Sequence, residues 1–337
     1  MNETLAFILE WVIKGAVLIA ILLTGFAYTT YFERRFLARI QIRVGPNRAG
    51  PFGLLQPVAD GIKLIFKEEV EPAEAYRFAF LLAPVMTMVP AVVIMAVIPW
   101  GDKVVMFGRE IALAVTDLNV GVLYLLSIAS ISVYGIVLAG WSSNNKYAMM
   151  GGIRSTAQMI SYELALGLSF VPPILLAGSL SMSEIIQGQQ SSAWYIVYAP
   201  LAAIVCFIAL LAEVNRAPFD MVEAEQELVA GYVTEYSGMK FALFFMGEYI
   251  KMAAVSAIFA TMFLGGFDGP GVDTYAWLGP IYLFLKIFGL LGLMIWIRAT
   301  LPRLRYDRLM AFGWKVLIPI ALLNVFITAA LIVGLGI

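Results

Sequence analysis

Apolar stretches of about 20 residues alternate along this chain with short polar segments. A helix needs about 20 residues to cross ~30 Å of hydrocarbon. Eight stretches have that length, at roughly 5–31, 78–98, 118–140, 156–178, 193–213, 240–264, 278–298 and 312–336. The ten-residue alternation of a membrane β-barrel is absent. The pattern predicts an all-α integral membrane protein with eight transmembrane helices. No intervening stretch is long enough for a soluble domain, so residues 1–337 are expected to form one membrane domain.

The longest segment between spans, 32–77, has a periodicity of its own. Leu55, Val58, Ile62 and Ile65 fall at i, i+3, i+7 and i+10, with Gln56, Asp60, Lys63 and Lys67 on the other face. That spacing predicts an amphipathic helix in the plane of the membrane interface. The helix is expected to end in Glu68, Glu69 and Glu71, stopped by Pro72. Acids at a helix C-terminus oppose the macrodipole, which points to basic residues of a partner.

Composition strengthens the membrane reading. The chain is 61% hydrophobic and 13% charged, with a mean hydropathy of +0.88. A soluble protein of 337 residues cannot hide that much apolar surface. Of the 22 lysines and arginines, seventeen lie in 32–77 and in the third, fifth and seventh loops. The opposite loops hold only Lys103 and Arg109. By the positive-inside rule the basic loops face the cytoplasm, and both termini face out from the cell inner membrane. The first span has no basic residue ahead of it and no small-residue cleavage site, so it reads as a retained helix, not a signal peptide.

The chain has no histidine and one cysteine, Cys206. Iron–sulfur clusters, haem and zinc usually need more ligands of these types, and the nucleotide-binding glycine motifs are absent. No flavin, haem, iron–sulfur cluster or metal is expected here, no catalytic residue acting alone, and no nucleic-acid partner.

Charged residues inside the spans are the candidates for chemistry, because each costs at least ~2.5 kcal/mol at mid-bilayer unless it faces protein or water. They are Glu10, Lys14, Glu163, Glu213, Glu248, Lys251 and Lys286. Glu10 and Lys14, four apart, can pair along one helix. So can Glu248 and Lys251, three apart. Glu163 has no cation one turn away and is a candidate to hold a proton. With Glu213 and Glu248 it could form a polar path from three helices. The loop after the fifth span, 214–239, adds Asp220, Glu223, Glu225, Glu227 and Glu235, which with Glu213 make six acids against Arg216 and Lys240. If this segment is helical, Glu223 and Glu227 share a face and Glu225 points away. Its aromatic and apolar brackets suggest a buried, hydrated cluster, met by the positive excess of 32–77.

Three motifs carry a resemblance. The first runs Glu33-Arg34-Arg35, then Arg43-Val-Gly45-Pro46-Asn47-Arg48-Ala-Gly50-Pro, then Leu-Gln56-Pro57-Val-Ala-Asp60-Gly-Ile-Lys63-Leu-Ile-Phe66-Lys67-Glu68. The second runs Glu213-Val-Asn-Arg-Ala-Pro-Phe-Asp220 through Glu-Ala-Glu-Gln-Glu to Glu235-Tyr-Ser-Gly-Met-Lys240 and Gly-Glu248-Tyr249. The third is Pro302-Arg303-Leu-Arg305-Tyr306-Asp307. Together they closely resemble the quinone-site membrane subunit of respiratory complex I. The resemblance covers essentially the whole chain.

It implies an eight-helix bundle on which hydrophilic subunits carrying flavin and iron–sulfur clusters dock from the cytoplasm, with small membrane subunits beside it. It implies that a quinone, ubiquinone or menaquinone, reaches a channel from the lipid. Arg34, Phe52, Gln56, Asp60, Lys63, Phe66 and Arg216 would lie near that channel. Glu163, Glu213, Asp220, Glu223, Glu225, Glu227 and Glu248 would form an acidic path to pumping subunits. The chain would then act as a subunit of an NADH-quinone oxidoreductase, a translocase. Alternatives are a stand-alone proton-coupled carrier, a membrane anchor for soluble redox subunits, or the equivalent subunit of a membrane-bound hydrogenase or ferredoxin-dependent complex.

Overall fold

The computed structural model describes residues 3–106, 109–221, 229–272 and 274–335. Its helices are α1 (Glu3–Ile40), α2 (Gln56–Phe66), α3 (Arg77–Ile94), α4 (Gly121–Ser142), α5 (Lys146–Ala177), α6 (Met182–Ser191), α7 (Tyr195–Tyr198), α8 (Pro200–Glu213), α9 (Gly238–Phe263), α10 (Leu278–Thr300), α11 (Tyr306–Phe312) and α12 (Ile318–Leu335). A π-helical turn, Gly313–Leu317, joins the last two.

Among the described residues, seven helices are long and apolar enough to cross a membrane: Ile8–Ile40, Arg77–Val97, Gly121–Ser142, Lys146–Ala177, Gly238–Phe263, Leu278–Thr300 and Tyr306–Gly334. The chain is a multi-pass helical membrane protein. The eighth expected span, 193–213, is divided. Ala199 leaves helical geometry (φ −131°, ψ 60°) and Pro200, which has no N–H to donate, restarts the helix. The resulting α8 has 14 residues, about 21 Å of rise. Its inner face is nonetheless deeply buried at Ala202, Cys206, Ala209 and Glu213.

Other boundaries shift too. The first span continues to Ile40, so Glu33, Arg34, Arg35 and Arg39 sit on the last turns of α1 and not in a loop. Helix α5 starts at Lys146, with the Asn145 side chain accepting from the Tyr147 N–H at its cap. Helix α2 stops at Phe66, where Lys67 turns extended (ψ 135°), before the acidic run. Glu69 and Glu71 instead lie against Lys240 of this same chain. A short antiparallel hairpin, β1 (Lys103–Met106) with β2 (Arg109–Ala112), occupies the loop between α3 and α4.

The core forms around α9, flanked by α3, α8 and α10. Small residues bring helices together. A Cβ on Gly135 of α4 would fall 2.7 Å from Thr87 Cγ2 and 2.9 Å from the Ala83 carbonyl of α3. Lys286 of α10 spends its three protons at the far end of α9, on the carbonyls of Leu264 (2.6 Å), Gly266 (2.9 Å) and Asp268 (2.7 Å). An ammonium at the exit of a helix meets both orphan carbonyls and the negative end of the dipole.

Candidate functional site

A cavity of about 330 Å³ lies between α1, α2 and α9. Helix α1 contributes Phe26 and Arg34, α2 contributes Asp60 and Lys63, and α9 contributes Phe245 and Tyr249. Arg34 Nη1 binds Asp60 Oδ2 at 2.7 Å, and Gln56 Nε2 donates to Asp60 Oδ1 at 3.2 Å. Polar groups thus gather on one side of an otherwise apolar space. Phe52 and Phe66 are 75% and 84% exposed and stand outside the lining of the cavity. The Phe52 carbonyl accepts from Tyr31 Oη (2.7 Å) and Arg35 Nη1 (2.8 Å).

Behind Tyr249 lies an ionic cluster. Arg216 stands over the Tyr249 ring, its guanidinium 4.5 Å from the centroid. It is 3% exposed, with Glu248 Oε1 at 2.7 Å and Glu33 Oε1 at 3.7 Å. Glu33 also pairs with Arg298 of α10. Two carboxylates and two guanidiniums from α1, α9, α10 and the turn after α8 therefore compensate one another, Glu33 and Arg216 buried and Glu248 and Arg298 partly exposed. Burial of such charges requires that pairing.

A second ion pair lies one turn further along α9. Lys251 Nζ contacts Glu213 Oε1 at 2.7 Å and Ser132 Oγ of α4 at 3.2 Å. The expected Glu248–Lys251 pair is not formed, because each residue reaches a more enclosed partner on another element. The Glu10–Lys14 pair is formed, at 2.6 Å. Glu163 accepts from Ser130 Oγ of α4 at 2.9 Å, and its charged neighbours are Glu213 and Lys251. The serines of α4 thus touch both the Glu163 carboxylate and the ammonium that holds Glu213.

The turn after α8 is shaped by Gln158 of α5. Its Nε2 faces the Ala212 carbonyl (2.9 Å), Asn215 Oδ1 (3.1 Å) and the Phe219 carbonyl (2.7 Å). Asn215 adopts φ 55°, a left-handed geometry that asparagine tolerates better than most residues. This geometry delivers Arg216 inward. Asp220 follows, 3% exposed and 3.3 Å from Arg303 of the segment between α10 and α11. Asp220 and Glu248 both line a second cavity, of about 380 Å³, that shares Phe241 and Phe245 with the first.

Glu223, Glu225 and Glu227 lie outside the described residues. The cations found for the described acids are Arg303 for Asp220 and Lys251 for Glu213, while Glu235 accepts from Asn145 Nδ2 at 2.6 Å. Sequence reasoning missed Gln158, Ser130, Ser132 and Arg298 as parts of the site. A glutamine or serine in an apolar helix carries little signal by itself. Among the described residues, no three His, Cys, Asp or Glu side chains converge as a metal site.

Helices of membrane length, a lined cavity and buried ion pairs joined through α9 define a multi-pass helical membrane protein with charged side chains paired within its spans. Residues 13–329 match the family model described as NADH dehydrogenase. The chain is 54% identical over 323 residues to the H subunit of NADH-quinone oxidoreductase from Thermomicrobium roseum, covering 93% of each chain. It is 49% identical over 336 residues to an H subunit of the same oxidoreductase from Syntrophobacter fumaroxidans, covering 100% of this chain and 99% of that one. It is 54% identical over 307 residues to the H subunit from Protochlamydia amoebophila, with 91% and 92% covered. The chain belongs to this family, the H subunits of NADH-quinone oxidoreductase.

Proposed function

We propose that this chain is the quinone-site membrane subunit of a proton-translocating NADH:quinone oxidoreductase, coupling reduction of a quinone to ion movement. It works as one membrane unit, with α7 and α8 completing an eighth crossing and α2 lying in the interface. The basic loops face the cytoplasm of the cell inner membrane and both termini face out. Flavin and iron–sulfur clusters belong to hydrophilic subunits docked on the cytoplasmic side, and small membrane subunits pack beside this one.

The carrying observation is Tyr249. It lines the cavity between α1, α2 and α9 and also lies beneath Arg216. In this reading the cavity takes the quinone, its apolar walls facing the isoprenoid tail and Arg34, Asp60 and Lys63 placed for the headgroup. Quinone reduction takes up two electrons from the donor subunits and two protons, and passes through transient negative charge. Two charges ~4 Å apart at an effective dielectric near 20 interact by ~4 kcal/mol, equivalent to ~3 pKa units. A change of that size beside Arg216 is enough to redistribute it between Glu33 and Glu248. Through α9 the altered field reaches Lys251 and Glu213, and through the α4 serines Glu163. Asp220, Glu223, Glu225 and Glu227 extend the acidic path on the cytoplasmic side.

The test has two arms in the intact complex in proteoliposomes. A photoreactive quinone is expected to label residues 52–66 and α9, and the label is expected to be displaced by unmodified quinone. Glu213→Gln is expected to leave the complex assembled and lower proton pumping several-fold. Labelling confined to other chains, together with full pumping by that variant, would refute the reading.

A further inference from the structure

Helix α2, which forms one wall of the cavity, has no buried residue of its own. Its position therefore depends on the polar contacts that tie it and its flanking segments to α1 and α9. At the N-terminal end, Tyr31 and Arg35 of α1 grip the Phe52 carbonyl. In the middle, Arg34 holds Asp60. The C-terminal end crosses to α9. There Lys240 Nζ lies 3.3 Å from Glu69 Oε2 and bonds to Glu71 Oε1. Ser237 Oγ donates to the Glu68 carbonyl at 3.2 Å.

The two segments approach closely. Gly238 has φ +59°, and a Cβ there would meet Glu69 Cγ at 3.1 Å and the Lys67 carbonyl at 3.3 Å. Lys240 is 7% exposed, and its ammonium lies 5.5 Å from the centroid of the Phe80 ring. Phe80 is itself stacked on Tyr236 at 4.1 Å. The lysine is thus held from behind while it holds the acids in front. Met239 and Phe241, on either side of it, line the cavity.

We propose that Lys240 is a positioning residue that latches the end of α2 to the first turn of α9 and thereby fixes the width of the cavity between them. The geometric claim stands by itself, and its consequence for quinone rests on the function proposed above. A point charge with three donors can serve two carboxylates at once. Without it, Glu69 and Glu71 lose their shared cation, and Glu71 keeps only a looser contact with the exposed Arg77, at 3.4 Å.

The experiment uses the intact complex with nitroxides on Phe66→Cys and Tyr147→Cys, both exposed sites, while the native Cys206 is buried. Lys240→Met is expected to broaden the distance distribution between the labels. It is also expected to shift KM for a long-tailed quinone at least threefold, with kcat within twofold. The conservative variant Lys240→Arg, which keeps a cation for both acids, is expected to restore both. If Lys240→Met fails to assemble, Glu69→Gln with Glu71→Gln releases the same latch with the lysine in place. An unchanged distribution overturns the latch. A broadened distribution with unchanged KM for every quinone tested supports the latch and refutes the cavity as the quinone site.

Discussion

Lys251 binds Glu213 across the interface between α9 and α8, at 2.7 Å, although Glu248 lies one turn away on its own helix. Both partners are buried, at 8% and 2% exposed. Removing one member of such a pair leaves an uncompensated charge and costs about 3–5 kcal/mol. Lys251→Met is therefore expected to lower the unfolding temperature of the complex and to abolish most proton pumping. Adding Glu213→Gln removes the stranded charge, so the double variant should regain stability but not pumping. Thermal melts combined with a pH-sensitive dye in proteoliposomes read both effects. Strictly additive losses in the double variant would show that the two side chains do not act as a pair.

Arg216 is the shared cation of Glu33 and Glu248. Arg216→Met leaves two carboxylates around an apolar side chain. Quinone-dependent turnover is expected to fall at least tenfold, while NADH oxidation by a water-soluble acceptor stays near wild type. Adding Glu248→Gln neutralises the acid that Arg216 holds at 2.7 Å, while Glu33 keeps Arg298, and should recover assembly without recovering turnover. Arg216→Lys is expected to fall between, because an ammonium keeps the charge but lacks the planar guanidinium that lies over the Tyr249 ring while it reaches both acids. Retention of full quinone turnover in Arg216→Met would remove this cluster from the coupling route.

Much of the architecture could be read from the sequence because lipid imposes it. Apolar length marked seven helices, and the i, i+4 spacing of Glu10 and Lys14 marked their ion pair. Pro200 divides the apolar stretch 193–213 into α7 and α8, a local break that hydropathy alone does not register. Elsewhere tertiary contacts outweighed local rules. Glu248 and Lys251 were neighbours in sequence, yet Arg216 and Glu213 offered each a drier partner. The acids 68–71 were expected to await another chain, but Lys240, some 170 positions on, satisfies Glu69 and Glu71. Gln158 was invisible for a different reason: its role depends on three oxygens of a turn that the linear pattern does not locate.

That glutamine makes a sharp test of the turn carrying Arg216. Its amide supplies two protons to a site surrounded by acceptors. Gln158→Leu would leave buried carbonyls unpaired and is expected to cost on the order of 2 kcal/mol. Gln158→Glu should be worse despite similar size, because an ionised carboxylate offers only acceptors to three facing oxygens. Melting temperatures should fall in the order wild type, Leu variant, Glu variant. A Glu variant as stable as wild type would show that the amide does not hold the turn.

The contact between Glu71 and Lys240 has a defined pH window. A hydrogen bond from the Lys240 ammonium holds the Glu71 carboxyl below its ordinary value of 4.5. A group depressed in the folded state contributes fully above its unfolded pKa, and the contribution is lost as pH falls through the folded value. From pH 7 down to 5 the folded carboxylate, held below 4.5, stays predominantly ionised, so the contact is expected to be constant. The distance distribution between nitroxides at Phe66 and Tyr147 should therefore be the same at pH 7, 6 and 5. Glu71→Gln should broaden it equally at all three, because the missing charge does not depend on pH. Raised salt should broaden the wild-type distribution only slightly, since the lysine is buried and poorly screened. A distribution that widened progressively between pH 7 and 5 in the wild type, but not in the Gln variant, would mean that Glu71 titrates above its ordinary range and does not hold the lysine as an anion.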